Sequence, residues 1–502
     1  MALSLIPNEI LDNIIINAIP EGFESLALSC KKFHALCTRF LSQHNLLRSH
    51  FYNFTYNEKF HDYTFFIRTA FDLIACIAVE PIVARYILNA DFSKDSFFMK
   101  GRPRDFNPDI RPENFNIDAQ LDCNASVHNL LASSPYFKAA GLDWNEYWTA
   151  IDEDLENRGY SQHATAFLLT LLPNTKTLSL PRRWKALDAT DRLVDAIISK
   201  ARQPHLPTSK PSLALVTSFQ TSYSYGPRER MDLALATPFL ALPSLRSFHG
   251  LSCVATTPSF SPDHNHTTIS REPYHLTFRS ETLEAVHLNA GCIDAAGIAT
   301  FLAHIPHLRS LRYSHCTKEG TEEGWNICAF ITAISHAIGP HLEELSISIR
   351  KLRGSIALGK VSMCNFQRLQ KLEFPLEIAV CNATYTETSV AGSMKDLRLD
   401  DATPILLNTL VPPTVTQLSI VSSGIDAHAP ALEAMFRGFA AKKAQIVPKL
   451  EDFHLSCLVD PSAGHKYKEV CERVRKECER GGVVCTLKKW ESSAGFTWDG
   501  EE

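Results

Sequence analysis

The chain has 502 residues, 45% hydrophobic and 21% charged, so it is too long for one ordinary core and too apolar for disorder. A small module plus a large domain, or one elongated repeat array, is expected. Against 55 Asp and Glu stand 50 Lys and Arg, and the net charge of −5 offers no field for a phosphate backbone or an anionic membrane. Nucleic acid and membrane are therefore not expected partners. Glu9 and Asp12 interrupt the apolar N-terminus, no basic segment precedes it, and no apolar run of about 18 residues follows, so an intracellular protein of cytoplasm or nucleus is expected. The 14 cysteines stand singly with no Cys-x-x-Cys pair, which predicts reduced, mostly buried thiols rather than a metal knuckle.

In chain order, Pro7 suits a helix start, where its missing N–H costs nothing, and Ile10, Leu11, Ile14 and Ile15 then form one apolar face that ends at Pro20 and Gly22. A second helical stretch carries Phe23, Leu26, Ala27, Cys30, Phe33, Cys37 and Phe40 at alternating spacings of three and four. A module this small does not bury both faces alone, so a partner is expected to cover part of them.

These residues resemble the F-box. The resemblance rests on Leu3-x-x-Ile6-Pro7-Asn8-Glu9-Ile10-Leu11-x-x-Ile14-Ile15, followed by Leu26-Ala27-Leu28-Ser29-Cys30-Lys31-Lys32-Phe33. Both halves occur in order, with Ile6-Pro7 where the family has Leu-Pro and a short link between the halves. The resemblance covers only about the first 45 residues, within a helical module expected over residues 1–48. It implies docking on the Skp-type adaptor of a cullin ubiquitin ligase, with Ile6, Pro7, Ile10, Leu11, Ile14, Leu26 and Leu28 in the interface. The other reading of the same stripes is a helical hairpin that caps the next domain.

From residue 51 to 502 one continuous domain is expected. A phrase of the form Leu-x-x-Leu-x-Leu recurs there, placing alternate apolar side chains on one face of a short strand. Its second apolar position falls at Leu178, Val216, Phe248, Val286, Leu311, Leu345, Leu372, Leu397, Leu418 and Phe453. A further strand is expected near Tyr86 to Phe92, and a helix-rich insert or cap near residues 118–172. Helical stripes at Ile298 to Ile305, Ile327 to Ile338, Leu432 to Phe439 and Tyr467 to Cys478 end at Pro or Gly, in three cases directly before a strand. Segments at Gly101 to Asn116, His205 to Pro211 and Pro258 to Pro273 read as loops. Helix, stop, strand is the unit, and parallel neighbours require such crossovers. The spacings resemble leucine-rich repeats, and the whole resembles fungal F-box proteins with degenerate repeats. The fold class expected is therefore α/β: a helical F-box, then a leucine-rich-repeat-like solenoid with a curved parallel sheet and convex helices.

On such a scaffold the side chains alternating with the buried row form the concave surface. They are His287, Ser310, Arg312, Glu344, Ser346, Lys371, Glu373, Asp396, Arg398, Gln417, Ser419, Asp452 and His454. The charged members and His454 are the candidate target-binding residues: Arg312, Glu344, Lys371, Glu373, Asp396, Arg398, Asp452 and His454. Their interleaved signs suit a protein or peptide surface better than a polyanion, against the plainer reading of a solvated sheet face.

Little points to bond chemistry. His264-x-His266 lies in a polar loop and leaves a metal short of ligands, Cys471, Cys478 and Cys485 divide between a helix and a strand, and Arg182-Arg183-Trp184-Lys185 is one short basic turn. No phosphate loop, Gly-x-Ser-x-Gly elbow or His-Glu-x-x-His occurs. The expectation is a non-catalytic receptor subunit without cofactor. It recruits the ligase through the F-box and presents an unnamed protein target on the repeats; a repeat scaffold acting without ubiquitylation is the alternative.

Overall fold

The computed structural model describes residues 6–56, 67–95, 120–158, 160–182, 184–204, 210–222, 226–256, 278–321, 324–384, 406–458 and 465–490. Leu3, His264, His266, Asp396, Leu397 and Arg398, with the expected loops 101–116 and 258–273, lie outside them. The chain divides into two compact units, Met1–Ser222 with Pro238–Leu245, and Tyr223–Thr237 with Arg246–Glu502. Both are α/β with parallel strands.

The first unit begins with α1 (Asn8–Ala18), α2 (Phe23–Ser29) and α3 (Lys31–Phe51). Pro7 sits at the N-cap of α1, and Leu11 and Ile15, one turn apart, point inward with Phe23, Phe33 and Cys37 to make a closed cluster. The single helical stretch expected from Phe23 to Phe40 is two helices. Cys30 leaves the helical region (φ −161°, ψ 162°) and its Sγ accepts the Phe33 N–H at 3.5 Å, so it caps α3 and turns α2 away. Asp12 and Arg39 pair to tie α1 to α3. The boundary expected at residues 48–51 falls in the last turn of α3, where Leu47 and Phe51 are buried.

The rest of the unit anchors this module. His44 Nδ1 meets Tyr86 Oη at 2.8 Å beneath the Phe23 ring, and Arg85 pairs with Glu21 at 2.6 Å while Asn174 donates to the same carboxylate at 2.6 Å. Strands β1 (Asn53–Thr55), β2 (Asn89–Asp91), β3 (Thr177–Ser179) and β4 (Ser218–Gln220) pair in that order, all parallel, with Phe54, Ala90, Leu178 and Phe219 in one register row. The phrase expected at Val216 is thus used three residues later. Val216 closes a turn onto Leu213, which takes φ +60°, and the strand begins after it. Likewise the strand expected from Tyr86 to Phe92 is shorter, because Val83–Tyr86 forms a helical turn, α5, which follows α4 (Ala70–Val79).

Helices α6 (Gln120–Ala132), α7 (Pro135–Ala140), α8 (Trp144–Arg158) and α9 (Gln162–Leu168) fill the expected helix-rich stretch, followed by α10 (Asp188–Arg202) and α11 (Thr237–Leu240). Asp95 joins three of the parts. Its carboxylate, 1% exposed, accepts the Ala70 N–H that starts α4 at 3.1 Å and the Thr165 hydroxyl of α9 at 2.8 Å.

In the second unit, β6 (Ser247–Leu251), β8 (Ala285–Ile293), β9 (Ser310–Cys316), β10 (Glu344–Lys351), β11 (Lys371–Pro375), β12 (Gln417–Ser422), β13 (Asp452–Leu458) and β14 (Val484–Trp490) form a continuous parallel path. A side pair, β5 (Met231–Asp232) and β7 (Cys253–Ala255), joins β8. One register row runs Phe248, Val286, Leu311, Leu345, Leu372, Leu418, Phe453 and Cys485. Strand β11 pairs directly with β12, and the strand expected at Leu397 lies outside the described residues.

The helices pack on the apolar side of this row. In α12 (Ala295–Leu302) Phe301 reaches Phe248, in α13 (Ile327–Ile338) Phe330 lies 4.6 Å from Tyr313, and in α16 (Ala429–Phe436) Phe436 lies 4.7 Å from Phe453. Helices α14 (Glu377–Thr384), α15 (Leu406–Leu410), α17 (Phe439–Ile446) and α18 (His465–Arg480) complete the set. The stripe expected as one helix from Leu432 to Phe439 breaks at Gly438, whose φ of +65° only glycine adopts without strain. Among the described residues, no helix is long and apolar enough to cross a membrane.

Burial raises Asp95 to about 7 against the pull of its two hydrogen bonds. A carboxyl raised on folding favours the folded state at low pH and loses that contribution as pH rises toward 7. In chemical unfolding, wild-type stability is therefore expected to fall relative to Asp95→Asn by about 1.4 kcal/mol per pH unit between pH 4 and 7. A pH-independent difference contradicts this.

Candidate functional site

Opposite the helices, the second unit carries two polar rows. Ser310, Glu344, Lys371, Gln417 and Asp452 stand side by side one residue before the apolar row, and His249, His287, Arg312, Ser346, Glu373, Ser419 and His454 stand one residue after it. Strand alternation places both on the face away from the core. Of the eight expected target-binding residues, Arg312, Glu344, Lys371, Glu373, Asp452 and His454 are brought onto this one face; Asp396 and Arg398 lie outside the described residues.

Neighbouring strands cross-link the face. Arg312 donates through Nε at 3.0 Å and Nη2 at 2.6 Å to one Glu344 oxygen, while Ser310 donates to the other at 2.9 Å. Both Arg312 and Glu344 are 24% exposed, so this pair is shielded more than a surface ion pair. Ser346 donates to Glu373 at 2.7 Å, and Gln417 to Asp452 at 3.4 Å. Lys371 stands exposed in the row between Glu344 and Gln417.

His249 belongs to this face, although the sequence expectation omitted it. Its signal was available, since it follows Phe248 as His287 follows Val286, but Gly250 breaks the apolar alternation after it. The two rings meet edge to face at 4.6 Å. Burial, then the charges of His249 and Arg312, push His287 down to about 4, with Glu344 pulling the other way. Burial and Arg312 also lower His249.

The N-terminal helices present a second surface. Ile10 is 50% and Ile14 40% exposed on α1, and Leu28 is 82% exposed on α2. Pro7 is exposed as well, whereas Ile6 and Leu26 are partly buried against the module's cluster. Leu11 corrects the expected interface: at 1% exposure it is sealed inside that cluster, because it and Ile15 are the inward positions of the α1 stripe. Ile16, 49% exposed, and Leu41 and Leu46, each 46%, are apolar surface that the stripe analysis did not single out.

Other motifs resolve into packing. Trp184 of the basic turn is buried edge-on to Phe239, and the Lys185 N–H donates to Gln162. Ser252 Oγ and Lys318 Nζ meet at 3.0 Å, a separation suited to serine activation, yet they are 0% and 1% exposed, and Lys318 also donates to the Gly226 carbonyl as a brace. Among the described residues, no group of three or more His, Cys, Asp or Glu is placed to hold a metal. Comparison with protein-family models gives no match to this chain, and a search of the curated proteins gives no significant relative.

A histidine lowered on folding makes the folded state lose stability as pH falls from about 6.5 toward its folded value. NMR titration is expected to place His287 near 4 and to show it rising in Arg312→Ala, where a repelling charge is removed and Glu344 is released. An ordinary titration in the wild type, or no change in the variant, contradicts the electrostatics of the face.

Proposed function

We propose that this chain is the substrate-recognition subunit of an intracellular ubiquitin ligase of the Skp-cullin-F-box type. In this reading α1 to α3 are the F-box, the second unit is a degenerate leucine-rich-repeat array with a curved sheet and convex helices, and the polar sheet face holds a protein target. The observation that carries the reading is that Ile10, Ile14 and Leu28 stay exposed on a helical module whose own cluster is already closed. Exposed apolar side chains of that size, added to the F-box resemblance of the same residues, favour an adaptor that covers them.

The polar rows support the other half. Both charge signs lie within a few side chains of one another, and most are tied to neighbours by hydrogen bonds, which suits a mixed protein surface rather than a nucleic acid or a membrane. The receptor supplies proximity, not bond chemistry: it raises the concentration of the target near the ligase's catalytic subunits.

Capture of a purified Skp-type adaptor by the full chain is expected to fall at least tenfold in each of Ile10→Asp, Ile14→Asp and Leu28→Asp, with the melting temperature preserved. Leu11→Ala is expected to act differently, destabilising the module by about 2–5 kcal/mol through a buried cavity. Equal capture by wild type and the three exposed-site variants, or no capture by wild type, overturns the reading. A partner crosslinked to the polar face that carries the same ubiquitin in Ile10→Asp as in wild type favours the scaffold without ubiquitylation.

A further inference from the structure

In the first unit, a cleft of about 470 Å³ lies between α7, the helical turn Leu169–Leu171 and the end of α10. It is lined by none of the residues assigned to the adaptor or the target. Its apolar walls are Pro135, Leu171, Pro173 and Pro211, and three of these four are rings of fixed shape. The remaining groups are mostly donors. Lys200, in the last turn of α10, sets its Nζ 4.8 Å from the centre of the Tyr136 ring, a cation–π contact. Lys210 and Gln203 stand exposed at the cleft. Among the described residues, no Asp or Glu lines it and neither ammonium has a carboxylate partner.

The hydroxyl groups of the cleft divide in the same way. Thr170 and Ser212 give their protons to the Phe167 and Leu169 carbonyls at 2.7 and 2.5 Å. Tyr136, only 8% exposed, accepts the Ser212 N–H on its Oη at 2.9 Å, and its own proton has no acceptor among the described residues. Burial raises this phenol above its ordinary value, so it remains a donor at neutral pH. Lys200 has a second task, since a cation in the last turn of a helix offsets the dipole there. Lys210 lies outside the helix and has no such task. On a chain of net charge −5, two lysines and an unspent phenol around one acid-free cleft suit an anion.

We propose that this cleft binds a small-molecule phosphate ester, its phosphate held by Lys200, Lys210 and the Tyr136 hydroxyl and its apolar body lying against the prolines and Leu171. Two ammonium groups match a dianion. A phosphate monoester is one above a second pKa of about 6, whereas a simple carboxylate carries a single charge. Lysine also suits a compact phosphate as a point charge, where the planar fork of arginine suits a carboxylate. The volume falls within the roughly 300–1,000 Å³ of small-molecule sites. The assignment stands independently of the ligase reading, because it uses neither the exposed helix residues nor the polar sheet face.

Calorimetry on the full chain at low salt, with phenyl phosphate as the probe, tests this. Saturable one-to-one binding is expected, weakened by at least about fivefold in each of Lys200→Gln and Lys210→Gln with the melting temperature preserved. Phenyl sulfate, which carries one charge, and inorganic phosphate, which lacks the apolar body, are each expected to bind at least about fivefold more weakly than phenyl phosphate. Affinity is expected to fall from pH 7 to pH 5, because the phosphate loses its second charge near pH 6 while both lysines keep theirs. No saturable binding of phenyl phosphate, or equal binding by wild type and both lysine variants, overturns the proposal. Inorganic phosphate binding as tightly as phenyl phosphate overturns it too, leaving an adventitious ion only. A phosphotyrosine peptide that binds at least about tenfold tighter than phenyl phosphate overturns the assignment to a small molecule.

Discussion

The second unit depends on one constraint: parallel strands hold a buried apolar side chain each in a single register row. Phe248, Val286, Leu311, Leu345, Leu372, Leu418 and Phe453 are each 2% exposed or less, and each such burial contributes about 1.5–3 kcal/mol before the cost of ordering. Because side chains alternate, a slip of one residue in any strand would put that whole contribution in water and the polar rows in the core. The register that buries Leu345 therefore also brings Arg312 and Glu344 face to face and places Lys371 and Glu373 beside them. The polar face is a consequence of the core.

The same economy of apolar surface distinguishes residues on the N-terminal helices. Leu11 and Ile15 close the cluster with Phe23, Phe33 and Cys37, and the far half of α3 is taken up by Tyr86 and its neighbours. Ile10, Ile14 and Leu28 are what remains. A periodic stripe on a short helix is wider than the contact it makes inside its own unit, so one stripe supplies both a core and a surface. In the second unit the helices leave less over: α12 and α13 bury nearly all their large side chains.

Much of this was legible in the sequence wherever one period dominated. The phrases at Phe248, Val286, Leu311, Leu345, Leu372, Leu418 and Phe453 became strands at the expected residues, because a two-residue alternation bounded by Pro or Gly admits few other structures. Val216 misled because Leu213, Val216 and Phe219 are equally spaced apolar candidates, and the positive φ at Leu213, which chose among them, leaves no mark in composition. Cys30 and Gly438 broke expected helices through capping geometry, a local hydrogen bond in one case and a left-handed backbone in the other, neither of which periodicity detects. Leu11 was placed in an interface because a stripe names a face without dividing it between core and surface.

The central claim is that the exposed side chains of α1 and α2, not the sheet, meet the adaptor. Amide hydrogen exchange of the full chain with and without a purified Skp-type adaptor tests it most directly. The account requires added protection confined to peptides within residues 6–30, with the strands from Ser247 to Ser422 exchanging as they do alone. Protection centred on those strands, or none in the first two helices at saturating adaptor, would contradict it.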